Sequence, residues 1–154
     1  MTKDVIIEIS GIQESKLEGE TGEQGEDLVV VMPASYYYRN GKHYILYDEV
    51  VEGSPIGIKN KLKITGTEQV DMMKSGATNA HMVFERNKKT QTYYQTPFGQ
   101  MLVTFYTTAM DIKEAEDEIK IKINYEMDVD YQPFADCVIR INIHSKEGAN
   151  LELQ

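Results

Sequence analysis

The chain is poor in the residues that build cross-linked or metal-held folds. Its 154 residues include one cysteine, Cys137, four prolines and no tryptophan. A single thiol excludes an intramolecular disulfide, and the three histidines have no cysteine or second histidine at the spacing of a zinc site. A disulfide-stabilised secreted scaffold and a zinc-held domain are therefore excluded, and we expect no metal and no cofactor.

Long apolar runs and an excess of basic residues are also absent. No segment approaches the roughly 18 consecutive apolar residues of a membrane-spanning helix, and the first residues lack the features of a signal peptide. The 16 Lys and Arg residues against 25 Asp and Glu residues give a formal net charge of -9. Such a surface repels phosphate backbones and anionic lipids. We therefore expect a cytoplasmic protein without a nucleic-acid or membrane partner.

What the chain does contain is a regular alternation of apolar and polar residues. Between Glu118 and Asp130 every second residue is apolar: Ile119, Ile121, Ile123, Tyr125, Met127 and Val129. Successive side chains of a strand point to opposite faces of its sheet. This strand therefore buries one face and exposes the other to solvent, as antiparallel strands do. Because the segment is longer than a typical strand, we expect it to bend or to carry a bulge.

The same alternation, interrupted by turn residues, predicts about ten strands in all. The clearest turn is Asn40-Gly41, since both residues tolerate the positive φ of a type I′ hairpin. This turn places Tyr38 opposite His43. The predicted strands are 4–15, 27–39, 42–51, 56–65, 67–74, 80–86, 90–95, 100–109, 118–131 and 135–145.

Hairpin-sized links between these strands favour one architecture. We predict an all-β fold, an antiparallel up-and-down β-barrel of about 8–10 strands. Residues 1–146 form a single β-barrel domain in this prediction, and residues 147–154 form a C-terminal tail. Two segments interrupt the alternation. Residues 14–27, rich in Gly and carboxylates, predict a surface loop, and residues 111–118 predict a helical turn or a wide loop.

Three stretches of the chain resemble a known family. They are Met82-Val83-Phe84-Glu85-Arg86, Tyr94-Gln95-Thr96-Pro97-Phe98-Gly99, and the following strand with Leu102 and Thr107. They resemble the apolar strand, the Y-x-T-P-aromatic-G turn and the next strand of the YwiB-like family of small bacterial proteins. The opening strand and the late Ile-Lys-Ile-Asn-Tyr strand fit the same layout. The resemblance implies a calycin-like β-barrel and a domain of unknown function, with no catalytic residues.

The ten tyrosines suggest where a ligand would bind. In the predicted hairpin, Tyr36 and Tyr38 share a face with Ile45 and Tyr47, which indicates the inner face. An apolar ring with a polar hydroxyl suits a pocket for a small apolar or amphipathic ligand. The candidate ligand-binding residues are Tyr36, Tyr38, His43, Phe105 and Tyr125. Core packing and an ordinary cross-strand pair at His43 are the alternative interpretation.

Other functions find less support in the sequence. The outer Tyr37 and Tyr44, with the acidic surface, are consistent with a protein-protein interaction or self-associating module, such as a homodimer. Cys137 lies in phase with strand isoleucines, which predicts a core thiol rather than a nucleophile. No nucleophile stands beside a base, although residues distant in sequence can converge in a fold. We therefore expect an uncharacterised, non-catalytic barrel protein, not an enzyme.

Overall fold

The computed structural model describes residues 1–15 and 28–146, which form ten antiparallel strands. The strands are β1 (Asp4–Ser15), β2 (Leu28–Arg39), β3 (Lys42–Glu49), β4 (Ile58–Thr65), β5 (Gln69–Gly76), β6 (Ala80–Glu85), β7 (Lys89–Thr96), β8 (Gly99–Ala115), β9 (Glu118–Val129) and β10 (Gln132–Ser145). The predicted surface loop lies, from residue 16 onward, outside the described residues, as does the predicted tail.

The strands follow one another around a single sheet. Its order is β6-β5-β4-β3-β2-β1-β10-β9-β8-β7, so β1 pairs with β10 and the sheet curls into a nearly closed barrel. Every paired strand is a neighbour in sequence except that one pair. The predicted all-β, up-and-down barrel is therefore confirmed.

The edges of the sheet, β6 and β7, meet along a seam. At one end of the seam Asn79 and Gln95 exchange two backbone hydrogen bonds, each 2.9 Å long. Further along, the Thr90 hydroxyl donates to the carbonyl of Val83, and the Thr92 hydroxyl accepts from a β6 backbone N–H at 3.4 Å. Side-chain hydroxyls thus take the place of a continuous ladder, and they cover edges that would otherwise invite pairing with other chains.

The β2–β3 hairpin has the predicted turn. Asn40 and Gly41 have φ values of 53° and 75°, the positive pair that a type I′ turn requires. Tyr38 pairs with His43, and Tyr36 pairs with Ile45. The predicted register is confirmed.

The predicted helical turn or wide loop at 111–118 is wrong. β8 runs through to Ala115, and only two residues separate it from β9. The cause is a bulge at Thr108, which shifts the register between Thr107 and Ala109. Before the bulge the inward residues of β8 have odd numbers, and after this one extra residue they have even numbers. Ile112 is therefore buried, although the alternation of apolar and polar residues in the sequence appears broken there.

The bulge that the long segment of β9 predicts lies in its neighbours instead. Phe134 of β10 is the extra residue between Pro133 and Ala135. Together with Thr108 of β8, it bends the sheet on both sides of β9, while β9 keeps its alternation. β9 therefore keeps a regular alternation, and the bulges that curve the sheet lie in β8 and β10.

The barrel interior is filled by inward apolar side chains from the strands. The largest fully buried side chains are Phe84, Ile7, Ile45, Leu62, Ile64, Ile119, Ile123, Ile141, Ile143, Val5, Val70 and Thr107. Burial of one such aliphatic side chain stabilises the fold by about 1.5–3 kcal/mol. The inward isoleucine rows predicted in β9 and β10 supply much of this core.

The two ends of the barrel carry different connections. The N-terminal end holds residues 1–3 and the turns at 40–41, 66–68, 86–88 and 116–117. The loop end holds the connections at 50–57, 77–79, 97–98 and 130–131. This separation follows from the up-and-down order, because successive antiparallel strands begin at opposite ends.

Candidate functional site

A cavity of about 310 Å³ opens within the barrel, with its polar groups toward the loop end. This volume lies at the lower limit of pockets that bind small molecules. Most of the wall is aliphatic, sulfur-bearing or aromatic: Ile9, Val30, Met32, Met72, Met82, Phe84 and Ile139. Four polar residues complete it: Tyr47, Glu49, Lys74 and Tyr125. The lining is that of an amphipathic binding site.

Three polar side chains from consecutive strands form a network beside this cavity. The Lys74 ammonium donates to Glu49 Oε1 and to Asn60 Oδ1, both at 2.9 Å. The Asn60 amide donates to the same Glu49 oxygen at 2.8 Å. Asn60 is 5% exposed, and the Lys74 and Glu49 side chains are partly buried. Buried charges are costly unless they are paired and hydrogen-bonded, and this network meets both conditions.

Tyr47 presents a hydroxyl to the cavity without a protein partner. The residue is 6% exposed, and its hydroxyl makes no hydrogen bond to any residue within 1–15 or 28–146. Burial raises the pKa of Tyr47 above its usual range, and the Glu49 carboxylate adds to the effect. Burial and Glu49, in that order, also raise the pKa of Tyr94. Both phenols stay protonated at neutral pH, so Tyr47 can donate a hydrogen bond to a ligand.

Three of the predicted site residues lie at the other end of the barrel. The Tyr36 hydroxyl is 2.8 Å from His43 Nδ1, and His43 Nε2 is 2.6 Å from Glu114 Oε1. Because a carboxylate only accepts, His43 Nε2 carries a hydrogen and donates to Glu114, while Nδ1 shares a hydrogen bond with the Tyr36 hydroxyl. The Tyr38 ring lies against His43, with centroids 5.0 Å apart. Burial raises the pKa of Tyr36, with smaller contributions from Glu114 and Tyr38.

The bond between His43 and Glu114 crosses the barrel. Four strands separate β3 from β8 along the sheet in either direction, so the two residues come from opposite walls. A strong, charge-assisted hydrogen bond between opposite walls holds them together at the N-terminal end. This contact joins the two walls at the N-terminal end, whereas the polar part of the cavity lies toward the loop end.

The other two predicted residues belong to an aromatic cluster in the core. Phe105 and Tyr125 have centroids 5.6 Å apart, and Phe84 packs against both at 5.0 and 4.8 Å. Burial, with lesser contributions from Cys137 and Tyr94, raises the pKa of Tyr125. Phe105 is buried, whereas Tyr125 also lines the cavity. Of the five predicted residues, the structure thus places Tyr125 alone on the cavity wall, within the described part of the chain.

The sequence did contain a sign of the polar network. Asn60 occurs in phase with the buried Ile58 and Leu62, and Lys74 occurs in phase with the buried Met72. A polar residue at an inward position of a strand needs a partner inside the barrel. Glu114 was harder to find, because the bulge in β8 reverses the phase that would have marked it as inward.

Neither metal ligation nor a membrane-spanning helix is found in the described residues. No group of three or more His, Cys, Asp or Glu side chains within 1–15 and 28–146 is arranged to hold a metal ion. Over the same ranges, no helix has the length and apolar character to cross a membrane.

Comparison with known proteins identifies the family. A family model described as a domain of unknown function, DUF1934, matches residues 8–141. The chain belongs to the DUF1934 family. The crystal structure of the ywiB protein from Bacillus subtilis is similar to this DUF1934 chain, with a TM-score of 0.78 and 21% sequence identity. The likeness covers 93% of this chain and 92% of that one, and it shows that the fold is shared.

The resemblance to the YwiB-like family is therefore confirmed for this DUF1934 chain. No curated protein matches it. The family's own description names no activity.

Proposed function

We propose that this barrel is a non-catalytic binding module, and that its cavity holds a small amphipathic ligand. One observation carries the proposal: an apolar cavity contains a paired Lys74 and Glu49 and, beside them, a Tyr47 hydroxyl that has no hydrogen-bond partner among residues 1–15 and 28–146. A site with apolar walls and few polar groups at one end fits a ligand that has an apolar body and one polar head.

The charges around the cavity favour a neutral head group. The Lys74 ammonium is already neutralised by Glu49 at 2.9 Å, so a ligand carboxylate would have to displace that contact. A hydroxyl or amide can instead accept from Tyr47 and donate to the Glu49 carboxylate without disturbing the ion pair. We therefore expect a neutral amphiphile to bind more tightly than the carboxylate of the same chain length.

Binding can be followed with N-phenyl-1-naphthylamine, a neutral fluorophore whose emission rises in apolar surroundings. We expect the probe to bind the protein and decanol to displace it at lower concentration than decanoate. The decisive variant is Met72→Trp, because Met72 points into the cavity and the larger ring fills it. Met73→Trp is the matched control, since the neighbouring residue faces outward, opposite His81.

The two variants separate a ligand site from surface adsorption. Loss of probe binding in Met72→Trp and its retention in Met73→Trp support the cavity. Equal binding to both variants, with each shown to be folded by circular dichroism, contradicts it.

A self-associating module is the second candidate, and exposed aromatic residues favour it. Tyr37 and Tyr44 stack on the outer face with centroids 4.7 Å apart and planes 6° from parallel. Phe98, at a turn of the loop end, is 99% exposed. Light scattering over a range of protein concentrations tests this candidate. A dimer that dissociates in Phe98→Ser or Tyr37→Ser supports it, and a monomer at every concentration contradicts it.

A further inference from the structure

The outer wall of the barrel carries a groove that is separate from the inner cavity. It measures about 420 Å³ and crosses the outward residues of β8, β9, β10, β1 and β2. Two rows of directly paired residues run across it. The first is Asp111, Lys122, Arg140, Ser10 and Val29, and the second is Lys113, Lys120, Asn142 and Glu8, with Val31 pairing next to Glu8 just outside the groove.

The chemistry of the groove changes along these rows. Four cations and one acid, Asp111, lie on β8, β9 and β10. Asn142, Ser10 and the Glu8 carboxylate lie in the middle, on β10 and β1, and Val29 ends the groove on β2. Val29 and Val31 are 63% and 57% exposed. A surface ordered in this way matches a ligand with an anionic end, a hydroxylated middle and an apolar end.

Like charges face each other directly within the cationic part. Lys122 pairs with Arg140 across β9 and β10, and Lys113 pairs with Lys120 across β8 and β9. Opposed like charges destabilise a sheet, and a chain with a net charge of -9 has many carboxylates that would relieve them.

The available carboxylates leave this part of the groove short of negative charge. Lys113 and Lys120 make long ion pairs, at 3.8 and 3.7 Å, with acidic residues of their own strands. Lys122 lies directly opposite Asp111 across β8 and β9, but neither Lys122 nor Arg140 makes a salt bridge within the described residues. A bound anion would relieve the repulsion between these two cations.

Asn142 gives an independent indication of a ligand. Its Oδ1 atom is buried and accepts no hydrogen bond from the described part of the chain. Its amide nitrogen lies 3.4 Å from Glu118 Oε2, which accepts from it. Buried acceptors are almost always satisfied. Because this atom is fully covered in the free protein, the Asn142 side chain has to turn toward the groove before an outside donor can reach it. The neighbouring lysines do not reach it, and a ligand hydroxyl would supply the missing hydrogen.

We propose that this groove binds a small phosphorylated, hydroxyl-bearing molecule of the nucleoside phosphate type. The phosphate lies between Lys122 and Arg140, whose guanidinium can hold two phosphate oxygens at once. A ligand hydroxyl donates to Asn142 Oδ1, and the apolar end lies against Val29. The volume of the groove suits a small molecule rather than a macromolecular surface.

Adenosine diphosphate is the probe, and isothermal titration calorimetry measures its binding. We expect binding to weaken at least about tenfold in the double variant Lys122→Ser/Arg140→Ser. The matched control is Lys59→Ser/Lys61→Ser, which removes two exposed lysines from the outer face of β4 and the same charge. Affinity within about twofold of the wild type is expected there, after allowance for the change in net charge.

Several results would overturn the proposal. They are the absence of adenosine diphosphate binding at millimolar concentration, an equal loss in both double variants, and adenosine binding as tightly as the diphosphate. Binding of an acidic peptide without binding of the diphosphate would likewise assign the groove to a protein partner. Competition by inorganic phosphate supports the assignment of the phosphate subsite.

A measurement on the unaltered protein guards against a variant that fails to fold. In amide NMR spectra, we expect the diphosphate to shift signals of Lys122, Arg140 and Asn142 while signals of the β3–β5 network stay in place. Shifts confined to residues of the cavity would contradict binding in the outer groove.

Because the double variant removes a like-charge pair, we also expect its melting temperature to be no lower than that of the wild type.

Discussion

At the residue scale, the feature that most distinguishes this barrel is a charged network placed on its inner face. Lys74, Glu49 and Asn60 occupy positions where neighbouring residues are apolar. Each depends on the others, because removal of one leaves buried polar groups without a partner.

Replacement of Lys74 tests this dependence. We expect Lys74→Met to lower the free energy of unfolding by about 1–3 kcal/mol, because Glu49 and Asn60 each lose a donor. Urea denaturation measures the change. Lys59→Met is the control, since that lysine is exposed on the outer face of the adjacent strand. Equal stability of the two variants would show that the network adds nothing to the fold.

We expect four tyrosines to ionise at a higher pH than an ordinary tyrosine. Burial raises the pKa of Tyr36, Tyr47, Tyr94 and Tyr125 above the ordinary value of 10.0. In the unfolded chain they ionise near that value, so above about pH 10 the unfolded state binds fewer protons than the native state. Stability is therefore fully present below pH 10 and falls as the pH rises toward the native pKa values.

Absorbance at 295 nm against pH measures this titration. We expect the absorbance change of these four phenols to come above pH 10 and to accompany unfolding. If all ten titrate together near pH 10 while circular dichroism remains native, the four phenols are not buried as described.

At the scale of elements, the bond between His43 and Glu114 joins β3 to β8 across the barrel. We expect Glu114→Ala to destabilise the protein by about 1 kcal/mol, since it removes the carboxylate that His43 contacts at 2.6 Å. Glu116→Ala, in the exposed β8–β9 turn, provides a control with the same charge change. A thermal melt of both variants suffices, and equal melting temperatures would mean that the cross-barrel contact does not stabilise this end.

The β9–β10 turn stores backbone strain. Asp130 and Tyr131 have φ values of 48° and 68°, a region that costs a residue with a side chain about 1–2 kcal/mol. Asp130 also accepts from the backbone of Leu102, so it should be kept. We expect Tyr131→Gly to raise the free energy of unfolding by about 1 kcal/mol in urea titrations. Gly41→Ala, at φ 75°, should shift it in the opposite direction. A loss of stability in Tyr131→Gly would show that the exposed ring has a role in the fold.

The sequence predicted most of these elements because alternation and turn chemistry are local. The Asn40-Gly41 hairpin and its register needed no tertiary information. The end of β8 could not be predicted, since the bulge at Thr108 reverses the pattern and only pairing with β9 reveals it. The candidate site could be predicted only in part, for a related reason. Which inward residues surround a cavity, and which are simply core, depends on distances between strands far apart in sequence.

At the scale of the whole molecule, the barrel has two unlike ends and two unlike faces. At the N-terminal end the hydrogen bond between His43 and Glu114 joins opposite walls, and the polar part of the cavity lies toward the loop end. The outer face carries a cationic groove on a chain whose net charge is -9. The proposed amphiphile and the proposed phosphate ligand would therefore occupy opposite sides of one wall, and either could bind without contacting the other.

Because the seam lies between β6 and β7, the edge strands of the sheet are not the first and last strands of the chain. β1 and β10, which lie near the chain ends, pair in the middle of the sheet, while the sheet's own edges, β6 and β7, follow each other in mid-chain. Thr2 donates a hydrogen bond to Ser145 Oγ at 3.2 Å, so the beginning and the end of the ladder already touch. A circularly permuted protein, joined there by a short linker and opened at residues 86–88, would keep every ladder intact. In such a chain the first and last strands would be the two edges of the sheet, and every strand would pair only with its neighbours in sequence.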